Sequence, residues 1–152
     1  MKLTKFFAVL VAFAAMSFVF TSCGDDDDDN GGPDPDGKVT AKFTKKTAEE
    51  LELTLTSGSY SQVHYATFKA NKLTLYTVAS TFPTVEAAQA FYYESMEELE
   101  SDEEEIRYSI NGKTVTMDMT QVWKHTLESM EVENEYDALY EYLEEMRKDF
   151  DR

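Results

Sequence analysis

Few side chains in this chain have the types and spacing that chemistry needs. Cys23 is the only cysteine among 152 residues, so no internal disulfide can form and the thiol is left for lipidation, intermolecular pairing or a free state. His64 and His125 fall in different predicted elements, without the His-Glu-x-x-His or paired-cysteine spacing that holds zinc. Asp26-x-Asp28-x-Asn30-Gly31 matches the opening of a calcium loop, yet its twelfth place, where a bidentate glutamate belongs, is Gly37. Ser57, Ser59 and Ser61 lie in a turn with no Gly-x-Ser-x-Gly elbow and no nearby base. Gly58 and Gly112 are isolated turn glycines rather than a phosphate cradle. These residues predict no catalytic constellation, no metal and no cofactor. Carboxylates are the exception, because two of them suffice to hydrolyse a glycoside. With 30 Asp and Glu in the chain, spacing alone selects no pair.

Cys23 gains meaning from what precedes it. Lys2 and Lys5 are followed by an apolar run from Phe6 to Phe20, interrupted only by Ser17. That run is short of the about 20 residues a bilayer span requires. Positive start, run length and small residues before a cut site predict a secretory signal peptide over residues 1–22. Thr21-Ser22-Cys23 resembles the lipobox of bacterial lipoproteins, with Phe20 standing where a smaller aliphatic residue is usual. The resemblance implies a diacylglyceryl group on Cys23, cleavage just before it, and acylation of the new N-terminus. Two or more acyl chains, at about 0.8 kcal/mol per buried methylene, make a stable anchor where one chain does not. Asp25 to Asp29 resemble the export signal of Bacteroidota-type surface lipoproteins, which implies an outer-membrane location facing the cell exterior. In lipoproteins of other Gram-negative bacteria an aspartate just after the cysteine favours inner-membrane retention; here that place is held by Gly24, which by the same resemblance points outward.

Residues 23–37 form the expected lipidated cysteine plus tether. Aspartate, glycine, asparagine, Pro33 and Pro35 offer nothing to bury, so the composition predicts disorder. A coil of that length spans roughly 20 Å, and charge repulsion with the prolines stretches it further.

Residues 38–152 are expected to form a single α+β domain. Val39, Ala41 and Phe43 alternate with polar residues, as do Leu51, Leu53 and Leu55, giving two half-buried strands. Gln62 to Ala70 and Leu73 to Phe82 read as a hairpin. A loop at Asn71-Lys72 sets Phe68 opposite Leu75 and Tyr65 opposite Val78, avoiding a Lys69–Lys72 cross-strand pair. Thr84 caps a helix whose stripe is Val85, Ala88, Tyr92, Met96 and Leu99, with Phe91 widening it. The glutamate-rich run from Glu97 to Glu105 reads first as a solvated helix end, and alternatively as a patch for a cation or a basic partner. Ile106 to Ile110 and Val115 to Met119 flank Asn111-Gly112, the preferred type I′ loop, which pairs Tyr108 with Val115 and Ile106 with Met117. Thr120 to Glu133 fits either a strand continued through Trp123 or a short helical turn. Asn134 then caps a closing helix with an apolar stripe through Tyr136, Leu139, Leu143, Met146 and Phe150. The expected order is β-β-β-β-α-β-β-α: about six mostly antiparallel strands with two helices on one face.

Net charge is −16, unevenly spread. Residues 38–93 carry six lysines against four glutamates, whereas residues 94–152 carry six basic and nineteen acidic groups. Nucleic acid is excluded as a partner, since phosphate neutralisation needs the opposite balance. Most of the nine tyrosines fit core positions. Tyr60, Tyr76, Tyr93 and Tyr142 are placed on exposed sides, where a rigid ring with a polar tip favours recognition over catalysis. The expectation is a lipid-anchored, non-catalytic binding module whose partners are the membrane, through the lipid, and a protein or glycan. The alternative is a small carboxylate-dependent hydrolase of envelope or extracellular polysaccharide.

Overall fold

The structure, a computed structural model, describes residues 39–101 and 106–150; the leader, Cys23, the acidic tether and residues 102–105 lie outside the described residues. Strands β1 (Thr40–Lys46), β2 (Glu50–Ser57), β3 (Tyr60–Lys69) and β4 (Lys72–Thr81) come first. Helix α1 (Val85–Ser101), strands β5 (Arg107–Asn111) and β6 (Thr114–Asp118), and helices α2 (Thr120–Ser129) and α3 (Glu135–Phe150) complete the order. The strands form one antiparallel sheet ordered β1-β2-β3-β4-β6-β5. The α+β class and the six-stranded sheet agree with the sequence reading. The helix count is corrected from two to three, because Thr120 to Ser129 is a helix of its own.

Strict alternation builds the sheet. Leu51, Leu53, Leu55, Gln62, His64, Ala66, Tyr76, Val78, Ser80, Val115 and Met117 all point to one face and are buried. The helices cover that face. Phe68 meets Tyr136 of α3, Phe43 meets Tyr140 of α3, Tyr76 meets Trp123 of α2, and Phe82 meets Phe91 of α1. The residues between them face the other way, and none of those described is buried. One row there, Lys45-Glu52-Tyr65-Thr77-Asp118-Arg107, crosses all six strands in register. A half-covered antiparallel sheet tolerates this, because its open face can be polar.

Two hairpin registers differ from those expected. The β3–β4 turn is Ala70-Asn71, both at positive φ (50° and 62°), and Lys69 does stand opposite Lys72. Both lysines are exposed, and Lys72 Nζ lies 3.4 Å from Glu135 Oε1 of α3, which offsets the repulsion. A bulge at Thr74 then sets Phe68 against Leu73, Thr67 against Leu75 and Tyr65 against Thr77. In the β5–β6 hairpin the loop is Gly112-Lys113, with positive φ at Gly112 only (58°). That is the type II′ pattern, in which a single residue must adopt positive φ and glycine supplies it. Tyr108 therefore pairs with Met117 and Ile110 with Val115. The slip is by two residues, so the apolar face is unchanged.

Helix ends follow their local chemistry. Thr84 Oγ1 accepts the Ala87 N–H at 3.1 Å, the expected cap of α1. Asn134 Oδ1 accepts the Asp137 N–H at 3.1 Å while Asn134 Nδ2 donates to Asp137 Oδ2, closing a reciprocal cap on α3. At the end of α2 the Val132 N–H reaches Leu127 O and the Glu131 N–H reaches Glu128 O, a Schellman ending with Glu131 at φ 53°.

Candidate functional site: a closed polar seam and an open helix face

The most chemistry-laden residues lie inside the domain. Gln62 Nε2 donates to Ser80 Oγ at 3.2 Å, and its carbonyl Oε1 lies 2.9 Å from His64 Nε2. A carbonyl only accepts, so Nε2 of His64 carries the ring proton. His64 Nδ1 is then the acceptor, and the Tyr76 hydroxyl donates to it at 2.7 Å. Burial holds the His64 pKa down at about 3 and lifts that of Tyr76 well above the ordinary tyrosine value. It pushes Tyr60 and Tyr142 up to about 12. A histidine beside a tyrosine could in principle move protons, but a base must reach its substrate. With 4 % exposure, and its lone pair already taken by Tyr76, His64 is a neutral core group.

Glu135 has a similar structural duty. Its Oε2 accepts the Leu73 N–H at 2.6 Å and its Oε1 faces Lys72. Among the described residues it is the buried carboxylate, and the groups facing it are a backbone amide and an ammonium. A glycosidase arrangement would set a second carboxyl about 5–10 Å across a cleft.

The expected tyrosine patch is largely redistributed. Tyr60 and Tyr76 are buried and Tyr142 is half-buried against Trp123 at 4.9 Å, whereas Tyr93 is 64 % exposed. The Thr74 bulge reverses the alternation along β4 and turns Tyr76 inward. Tyr65 takes an outward place instead, donating to Glu50 Oε1 at 2.6 Å beneath Lys45. That bond, with Lys45 beside it, holds the Glu50 carboxyl below its usual range. His125 lies exposed on α2, in a different element from His64. Among the described residues no group of three or more His, Cys, Asp or Glu gathers to hold a metal ion. No described helix is long and apolar enough to cross a membrane.

Helix α1 departs from the pattern of the other two. Ala88, Phe91 and Ser95 turn toward the sheet, but Val85 (38 % exposed), Tyr93 and Met96 (37 %) remain in solvent. Val85, Gln89, Tyr92 and Met96 follow each other at helical spacing on one flank. Tyr93 lies beside them, its ring edge-on to Tyr92 at 5.5 Å. Exposed Glu86 and Glu97 border that flank on its solvent side. The helical periodicity places Val85, Tyr92 and Met96 on the core stripe; Tyr92 does pack against the core, whereas Val85 and Met96 do not. Helix α1 packs at the β5–β6 end of the sheet, so the apolar arc is wider than the surface available to cover it. No protein-family model, curated protein or solved structure matches this chain.

Proposed function

We propose that the chain is a lipid-anchored, non-catalytic interaction module, attached through Cys23 to the outer membrane and displayed on the cell exterior. The anchor rests on the basic start, the short apolar run and the Thr21-Ser22-Cys23 signature; the outward display rests on Asp25 to Asp29. For the domain, the observation that carries the reading is the gathering of exposed Val85, Tyr93 and Met96 on α1. Exposed apolar area concentrated on one element marks an interaction surface more strongly than single scattered residues do. The internal polar groups Gln62, His64, Tyr76 and Glu135 are meanwhile engaged with one another or with backbone.

The test has two arms. Fatty-acid labelling of cells should mark the wild-type protein and not Cys23→Ala, whose domain still folds. Purification from detergent-solubilised membranes should recover a partner that the Tyr93→Ala/Met96→Ala variant loses. Turnover of a polysaccharide by the purified protein, with no partner recovered, overturns the binding reading in favour of a hydrolase.

A further inference from the structure

Building on the reading of α1 as the contact surface, we infer that its occupant is a cationic amphipathic segment of a partner protein. Two independent features of α1 specify that chemistry. The first is the set of exposed apolar side chains Val85, Tyr93 and Met96, with half-buried Tyr92 between them, spread over three helical turns.

The second is a charge pattern that works against the helix itself. Helix α1 contains no lysine or arginine, and its last turn has no basic residue. Glu94 sits three residues before Glu97, a like-charged spacing that no cation of the helix offsets. Helix α3 obeys the opposite rule, with Glu135 and Asp137 in its first turn and Arg147 and Lys148 in its last. There Arg147 makes two 2.8 Å bonds to Glu144 and pulls that carboxyl below its usual range. Helix α2 also has no basic residue in its last turn but carries Lys124, so among the described helices α1 is the one without any lysine or arginine. Lysines or arginines brought by a partner, beside apolar side chains that cover Tyr93 and Met96, would supply both absent elements. A second copy docked α1 against α1 fits poorly, because it would set Glu86 and Glu97 against the same carboxylates.

The experiment uses the mature lipidated protein in nanodiscs of neutral lipid, with empty nanodiscs as the blank. The probe is a synthetic amphipathic leucine–lysine helix, and the control is a leucine–glutamate helix of the same pattern. The expected result is binding of the lysine peptide only, weakened about tenfold by Tyr93→Ala/Met96→Ala. Glu86→Gln/Glu97→Gln should weaken it severalfold and reduce its salt dependence. All four positions are exposed, so the variants keep the fold. If both peptides bind equally and Tyr93→Ala/Met96→Ala removes both, the cationic specificity is overturned while the α1 surface stands. If neither double variant changes binding, the surface itself is overturned. Self-association of the free protein, abolished by Tyr93→Ala, overturns the inference in favour of a second copy.

Discussion

The Glu135 carboxylate accepts the Leu73 N–H at 2.6 Å, tying the first turn of α3 to the start of β4. The link is doubled by the Glu135 N–H, which donates to Asn71 O in the preceding turn at 3.0 Å. Hydrogen bonds to a charged acceptor contribute about 1.5–3 kcal/mol each. Glu135→Ala should therefore cost about 2 kcal/mol in a urea titration and speed hydrogen exchange at Leu73. Glu135→Gln keeps an acceptor and should cost about half as much. Unchanged Leu73 protection in Glu135→Ala would remove the latch from this account.

His64 predicts an acid-sensitive core. Its folded pKa is depressed to about 3 from 6.5, so between those values the unfolded chain holds a proton that the folded one refuses. Its stabilising contribution is thus present above pH 6.5 and is lost as pH falls toward 3. The slope approaches about 1.4 kcal/mol per pH unit well inside that window. His64→Leu should cost about 2–4 kcal/mol at neutral pH, since Tyr76 and Gln62 lose a partner. It should also flatten this acid dependence. A variant whose midpoint falls with pH as steeply as the wild type would assign the effect to other groups.

Two turns can be improved. Glu131 holds the αL position that ends α2, where glycine is the usual occupant, so Glu131→Gly should raise stability by about 0.5–1 kcal/mol. Ala70→Asn with Asn71→Gly installs the favoured type I′ pair where both residues already have positive φ, for a gain of about 1 kcal/mol. Thermal midpoints of the single and combined variants would show whether the gains add, since Glu135, four residues after Glu131, is hydrogen-bonded to the β3–β4 turn through Asn71 O.

The sorting role proposed for the acidic stretch predicts a clean separation of lipidation from display. Replacing Asp25 to Asp29 with serine should leave the protein acylated but shielded from externally added protease in intact cells. Equal cleavage of variant and wild type would refute that role.

Where pattern is local, the sequence predicted the fold. Leu51, Leu53 and Leu55 announce a strand without reference to anything else, and Thr84 and Asn134 announce their helices through capping chemistry. The failures have non-local causes. The Lys69–Lys72 pair is disfavoured by cross-strand repulsion alone; Glu135, more than sixty positions later, is what makes it acceptable. The sequence of α2 is ambiguous because Trp123 can continue the strand of β6 while Thr126-Leu127-Glu128-Ser129 can open a helical turn. The structure settles it with Asp118 Oδ1, which accepts from the Thr120 amide and hydroxyl, and with Thr120 Oγ1, which accepts the Tyr76 N–H beyond the end of β6. The His64–Tyr76 pair escaped notice because a one-residue bulge decides which way Tyr76 points. The α1 surface left one trace in the sequence, its acidic run, while the exposure of Val85 and Met96 depends on how little sheet lies beneath them.

The strand order has a geometric corollary. The chain enters the described fold at Val39 on the β1 rim, whereas β5 and the overlying α1 occupy the opposite rim. Five interstrand steps of about 4.8 Å put roughly 24 Å between those rims. A molecule moored by its N-terminus would carry Tyr93 and Met96 on the rim farthest from its mooring point, like the bow of a boat tied at the stern.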